Sequence, residues 1–165
     1  MAGYGLPNEQ HLSVVLQNYL SLEGHNIEVI NGSVSGSTTA GGLNIAEWTL
    51  SENNIDLMIL CLGANDMLRG INPKETKNNL IEIIKIAKSK NIKVIIAGMI
   101  APTSHGSNYK KSFDKIFEDL SNEYELQLIP FLLEGVAQKP EFNLSDGMHP
   151  NDKGTIIIGK TLKEA

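Results

Sequence analysis

Four short apolar runs separated by segments of helical spacing constrain this chain more than any other feature. IDLMILCL (55–62) and IKVIIAGMI (92–100) are near-continuous apolar stretches, the pattern of strands covered on both faces. IEVI (27–30) is short and β-branched, and LQLIPF (126–131) is a weaker fourth run. Helical periodicity fills the gaps. In 73–90, Leu80, Ile83, Ile84 and Ala87 draw one apolar stripe. Asn72 suits the N-cap, Pro73 the first helical position, and Glu75 a capping-box-like start. In 110–124, Phe113, Ile116, Phe117, Leu120 and Tyr124 repeat the stripe. Residues 8–22 carry Leu12, Val15, Leu16 and Tyr19, and 40–52 carry Ala46, Trp48 and Leu50 less regularly. The stretch 151–164 predicts a closing helix in spite of Gly154 and Gly159. Strands alternating with helices of this length predict a three-layer α/β domain around a parallel sheet. At 165 residues, 41% of them hydrophobic, one domain over 1–165 is expected.

Charge narrows the partners. A net charge of −5 repels nucleic acid and anionic membrane surfaces. No apolar stretch reaches the roughly 18 residues that span a bilayer, so no stable membrane insertion is expected. Cys61 is the single cysteine; it excludes an internal disulfide, disfavours a Cys/His zinc site, and reads as a small buried hydrophobe.

In parallel α/β sheets, ligands bind beyond the carboxyl ends of the strands, so the loops after the apolar runs come next. SDGMHPND (145–152) sets Asp146 three residues before His149. Such a carboxylate can accept from Nδ1–H, leave Nε2 as a base, and stabilise the imidazolium. The same letters also suit a plain surface loop leading into a helix N-cap. GAND (63–66) puts Asn65 just past a strand, where its amide could donate to a developing oxyanion or merely close an Asx-turn. In NGSVSGST (31–38), Gly36 would let a backbone N–H approach a substrate oxygen. The loop lacks the lysine and spacing of a phosphate-binding loop, which argues against a nucleotide-binding protein. His11, His25 and His105 have no carboxylate at useful spacing. A base with its orienter, an amide donor and a backbone donor form the set that acyl transfer needs, apart from an attacking hydroxyl.

V-S-G-S-T, G-A-N-D and D-G-M-H-P, in this order, resemble the SGNH hydrolases, also called GDSL esterases and lipases. The likeness is to the small thioesterase I, lysophospholipase and arylesterase types, and it runs from Ala2 to about residue 160 in the sequence. The resemblance implies a three-layer α/β/α sandwich with a flavodoxin-like parallel sheet. It implies a serine ester hydrolase working through an acyl-enzyme on a small acyl ester or thioester, with no cofactor or metal. By motif, Gly36, Asn65 and His149 take the family's Gly, Asn and His positions, with Asp146 as partner of His149. The serine belongs to a Gly-Asp-Ser-Leu motif that often continues x-Ala-Gly-Tyr. Ala2-Gly3-Tyr4 matches the continuation, so the serine and its strand are expected upstream of Met1. The strand is expected to lie between 27–30 and 55–62, and the chain alone is expected to be fragile and inactive. Ser33, Ser35 and Ser37 are poor substitutes, because they sit on the oxyanion loop. The alternative is a non-catalytic module that binds a small molecule or acyl group on the same fold. Acyl length, compartment and oligomeric state have no sequence signature.

Overall fold

The run 92–100 supplies the middle strand of the sheet. In a computed structural model that describes residues 3–51 and 54–165, the backbone groups into two compact units, Gly36–Phe131 and Met1–Ser35 with Leu132–Ala165. Met1 and Ala2, where the Ala-Gly-Tyr match begins, lie outside the described residues, as do Glu52 and Asn53.

The unit Gly36–Phe131 is an α/β assembly. Its strands β1 (Leu57–Leu60), β2 (Lys93–Ala97) and β3 (Gln127–Ile129) form a parallel sheet in the order β1-β2-β3. Leu57 lies opposite Lys93, and Ile95 opposite Gln127. Val94, Ile95, Ile96 and Ala97 are all buried, as a strand flanked by neighbours on both sides requires. β1 is less covered than its sequence suggests: Leu60 is buried but Leu57 is 45% exposed. Among the described strands β1 has a neighbour on one edge only.

Among the described residues this unit also holds the helices α2 (Thr39–Thr49), α3 (Ala64–Leu68), α4 (Pro73–Ser89) and α5 (Ser107–Tyr124); α4 and α5 pack on the strands, and α2 and α3 on α4. The α4 start follows the expectation for Asn72 and Pro73, with Asn72 Oδ1 accepting the Lys74 N–H at 2.9 Å and Pro73 in the first turn. Leu80, Ile83, Ile84 and Ala87 are buried, as are Phe113, Ile116, Phe117 and Leu120 of α5. Each of these Leu, Ile and Phe side chains contributes roughly 1.5–3 kcal/mol on leaving water. Burial also pushes the Cys61 thiol pKa up, which keeps it from acting as a thiolate.

After β2 the chain passes close to the segment after β3. A Cβ on Gly98 would sit 2.3 Å from the Pro130 carbonyl oxygen, a backbone atom that cannot swing aside. Gly98→Ala is therefore expected to lower the unfolding free energy by roughly 1–3 kcal/mol, read from denaturant melts. An unchanged midpoint would show that the two segments separate freely.

In the other unit, α1 (Leu12–Leu22) packs on α6 (Asp152–Glu164). Gly159 makes that possible: a Cβ there would lie 2.7 Å from Val15 Cγ1. The glycine that weakens the helical pattern of 151–164 is thus the point of helix–helix contact. Asn151 caps α6 by accepting the Gly154 N–H at 3.0 Å.

The strand expected at 27–30 does not form. Ile27 and Ile30 are 51% and 62% exposed, and the segment joins no ladder among the described residues. Its backbone is bracketed by one side chain instead. Gln17 of α1 donates to the Ile27 carbonyl at 2.8 Å and accepts the Val29 N–H at 2.7 Å. β-Branched residues favour an extended backbone, but a strand exists only through its partner.

Candidate active site

The sheet of the Gly36–Phe131 unit turns three loop segments toward the carboxyl ends of its strands. The one after β1 leads at once into α3, which carries Asn65 in its first turn. Asn65 Nδ2 donates to the Ser37 carbonyl at 3.0 Å. An amide nitrogen has two hydrogens, so one remains to serve another acceptor. The Ser37 carbonyl adjoins Gly36, and Arg69 Nη2 donates to the Gly36 carbonyl itself at 3.0 Å. Gly36 has φ +73, and nothing lies within 4 Å of where its Cβ would be. The structure therefore brings Gly36 and Asn65 together, through the chain segment that joins Gly36 to α2.

Behind them lies a residue to which the sequence motifs give no role. Asp66, the last letter of GAND, has no exposed surface. Its Oδ2 accepts the Thr39 N–H at 2.8 Å. Its Oδ1 accepts from the Thr39 hydroxyl and, at 3.2 Å, from the Thr76 hydroxyl. A carboxylate straight after a candidate donor is the signal that could single it out. Its burial is invisible in the sequence, because the three hydrogens come from α2 and α4.

The other pair lies in the unit Met1–Ser35 with Leu132–Ala165. Asp146 Oδ2 stands 2.7 Å from His149 Nδ1. Asp146 Oδ1 accepts the backbone N–H groups of Met148 at 2.8 Å and His149 at 2.9 Å. The turn is closed by Gly147 N–H to the Leu144 carbonyl at 2.9 Å and Leu144 N–H to the His149 carbonyl at 2.7 Å. Asn143 and Pro150 form an isolated antiparallel bridge at its base, and the buried Asn143 amide donates to the Val136 and Lys139 carbonyls, both at 2.8 Å. One carboxylate oxygen of Asp146 thus closes the turn while the other faces the His149 ring.

Electrostatics follow from those bonds. The His149 and Met148 N–H groups, then the imidazole, hold the Asp146 carboxyl down to about 2. An ionised carboxylate only accepts, so Nδ1 carries the hydrogen that faces it, and in the neutral imidazole that leaves the lone pair on Nε2. The Tyr4 ring packs on the imidazole, with centroids 4.4 Å apart and a tilt of 35°. Tyr4 belongs to the Ala-Gly-Tyr match, yet nothing in the sequence announces its contact with His149.

One titration tests this geometry. A depressed acid gives its full stabilisation above the ordinary carboxylate range near 3.9. That contribution is lost as pH falls toward about 2. Carbon-13 NMR is expected to place the Asp146 midpoint near that value. A midpoint close to 4 would mean that the turn amides do not point at the carboxylate.

His105 makes its contacts within the Gly36–Phe131 unit. It packs near Gly70 and at 5.1 Å from the Tyr109 ring, and Tyr109 donates to the Ile71 carbonyl at 2.9 Å. Ser33 and Ser37 hydroxyls are engaged locally, with Asn31 Oδ1 and with the Thr38 carbonyl at 3.2 Å.

Known proteins resemble this arrangement over nearly its whole length. Residues 1–155 match the GDSL-like Lipase/Acylhydrolase family. An arylesterase of Vibrio mimicus is 38% identical over 163 residues, which is 99% of this chain and 82% of that protein. Esterase TesA of Pseudomonas aeruginosa is 34% identical over 149 residues, 90% of this chain and 74% of that one. The crystal structure of the psychrotrophic esterase EstA from Pseudoalteromonas sp., inhibited by monoethylphosphonate, superposes with a TM-score of 0.94 at 29% identity, covering 99% of this chain and 89% of that one.

Proposed function

From its membership of the GDSL-like lipase/acylhydrolase family, a family of hydrolases acting on ester bonds, we propose that this chain serves a serine ester hydrolase that passes through an acyl-enzyme. Small acyl esters or thioesters are its substrates. The attacking hydroxyl is that of the serine in the family's Gly-Asp-Ser-Leu motif. His149 Nε2 takes the serine proton as Oγ bonds to the acyl carbon. The carbonyl electron pair moves onto oxygen, and the Gly36 N–H and Asn65 Nδ2–H donate to that oxyanion. As the tetrahedral adduct collapses, His149 returns the proton to the leaving alkoxide or thiolate. A water then gives His149 a proton and attacks the acyl group, and the acid leaves as the serine regains its hydrogen. Asp146 holds the tautomer throughout.

The observation that carries this reading is the 2.7 Å contact from Asp146 to His149 Nδ1, with the other carboxylate oxygen fixed by two backbone N–H groups. A surface loop has no need of a carboxylate bound on both sides and aimed at a ring nitrogen.

The test compares two proteins on p-nitrophenyl esters and acyl-CoA of several chain lengths. One is the 165-residue chain, and the other carries a leading segment ending in Gly-Asp-Ser-Leu. The expected ratio of turnover is on the order of 10⁶ in favour of the second. Equal rates would place the nucleophile within the 165 residues. No hydrolysis by either, with retained affinity for a fatty acid, would favour a binding module.

A further inference from the structure

The Asp66 carboxylate is a fully buried charged group of the Gly36–Phe131 unit that the proposed chemistry leaves unused. It has no exposed surface, as do Thr39 and Thr76, and it meets three hydrogen-bond donors but no cation among the described residues. Burying a carboxylate is costly unless such donors compensate it. A fold would be spared that cost by an apolar residue, so the position of the three donors is informative.

Two of the three come from Thr39, the first residue of α2. The Thr39 N–H is one of the amides that a helix start leaves without an internal partner, and Asp66 accepts it at 2.8 Å. The neighbouring Thr38 hydroxyl accepts the Gly41 N–H at 3.2 Å. The Thr39 hydroxyl has a single hydrogen. Asn79 Nδ2 donates to its oxygen at 3.1 Å, so that hydrogen is directed to Asp66 Oδ1. Thr76, in the first turns of α4, completes the set at 3.2 Å. Asp66 thus joins the starts of α2 and α4 to α3. Gly36 stands three residues before Thr39, and Asn65 immediately before Asp66. The Asn65 bond to the Ser37 carbonyl and the Arg69 bond to the Gly36 carbonyl span the same gap.

We infer that Asp66 is a positioning residue for the oxyanion donors, setting the Gly36 N–H and the Asn65 amide relative to one another through Thr39. The inference rests on the reading of Gly36 and Asn65 as those donors. In this arrangement both carboxylate oxygens act as acceptors. An amide at this position has one accepting oxygen, and its NH₂ would face either the Thr39 N–H or the threonine hydroxyls. Toward the Thr39 N–H, donor would meet donor. Toward the hydroxyls, Thr76 and Thr39, the latter already accepting from Asn79, would have to turn from donors into acceptors. In either case the segment 36–38 would shift against α3. Displacement of a donor matters only when charge develops on the substrate oxygen, so the loss falls on kcat rather than KM.

The test uses the serine-bearing protein, at a temperature where every variant is folded by circular dichroism. Four variants are compared: Asn65→Ala, Asp66→Asn, Thr39→Val and Thr39→Ser. Asp66→Asn and Thr39→Val are each expected to lower kcat about 10- to 100-fold, somewhat less than outright loss of a donor, with KM changed less than about threefold. Affinity for a tetrahedral phosphonate should fall with kcat, while affinity for the product carboxylate should not. Thr39→Ser, which keeps the hydroxyl, should restore most of kcat. A merely structural role would lower the melting temperature and leave kcat and phosphonate affinity alone, and that result would overturn the inference. If Asp66→Asn does not fold, the Thr39→Val and Thr39→Ser pair decides by the same readouts. Unchanged kcat in Asn65→Ala would refute the donor reading itself. A fall there with none in Asp66→Asn or Thr39→Val would refute the positioning role alone.

Discussion

Replacing His149 by alanine in the serine-bearing protein is expected to lower kcat for an acyl ester on the order of 10⁶-fold. The size follows from the role. Without Nε2 as acceptor, the serine proton has nowhere to go as the new bond forms. Donors to the oxyanion would still supply a residual rate, roughly 10³–10⁴ over the uncatalysed reaction. The fold should tolerate the change. The His149 backbone closes the turn, its N–H donating to Asp146 Oδ1 and its carbonyl accepting the Leu144 N–H. Alanine keeps both, and the side-chain bond to Asp146 Oδ2 is the one lost. A thermal midpoint near that of the parent, alongside the collapse in kcat, is the expected pairing. A loss below tenfold would remove His149 from the chemistry.

The second large effect is Asp146→Asn, expected to cost about 10⁴ in kcat. This substitution separates the two duties of the aspartate. An asparagine Oδ1 can go on accepting the Met148 and His149 N–H groups, so the turn persists. Its Nδ2, however, donates where Oδ2 accepted. Facing a donor, His149 Nδ1 must offer its lone pair, and the ring hydrogen moves to Nε2. The base is then present, in place, and in the wrong tautomer. KM should barely move, because nothing that binds the ground state has changed. If kcat falls less than tenfold, Asp146 is a turn residue and no more. Nitrogen-15 NMR of His149 detects the same switch without substrate, since the two tautomers differ in which nitrogen is protonated.

How much of this is legible in the amino-acid sequence depends on whether the deciding contact is local. The stripes of α4 and α5 are readable because helical periodicity is a property of one segment, and their expected residues are buried with one exception: Tyr124 is only half-buried. Asp146 and His149 are readable for the same reason, three residues apart in one turn. IEVI misleads because β-branched composition does not reveal whether a ladder partner exists, and Gln17 occupies that backbone instead. Leu57 is expected to be covered and is 45% exposed, because coverage depends on the next strand across. Gly154 and Gly159 read as weak points in a helix until Phe142 and Val15 are seen where a Cβ would stand. Asp66 gives no sign of its role because its partners, Thr39 and Thr76, are 27 and 10 residues away.

Covalent trapping locates the nucleophile. The serine-bearing protein is treated with an alkyl phosphonate ester, and peptide mass spectrometry locates the adduct. The account predicts one adduct, on the serine of the Gly-Asp-Ser-Leu segment, slowed steeply by His149→Ala and absent from the 165-residue chain. An adduct on Ser33, Ser35 or Ser37, or ester hydrolysis at full rate with no adduct anywhere, would contradict it.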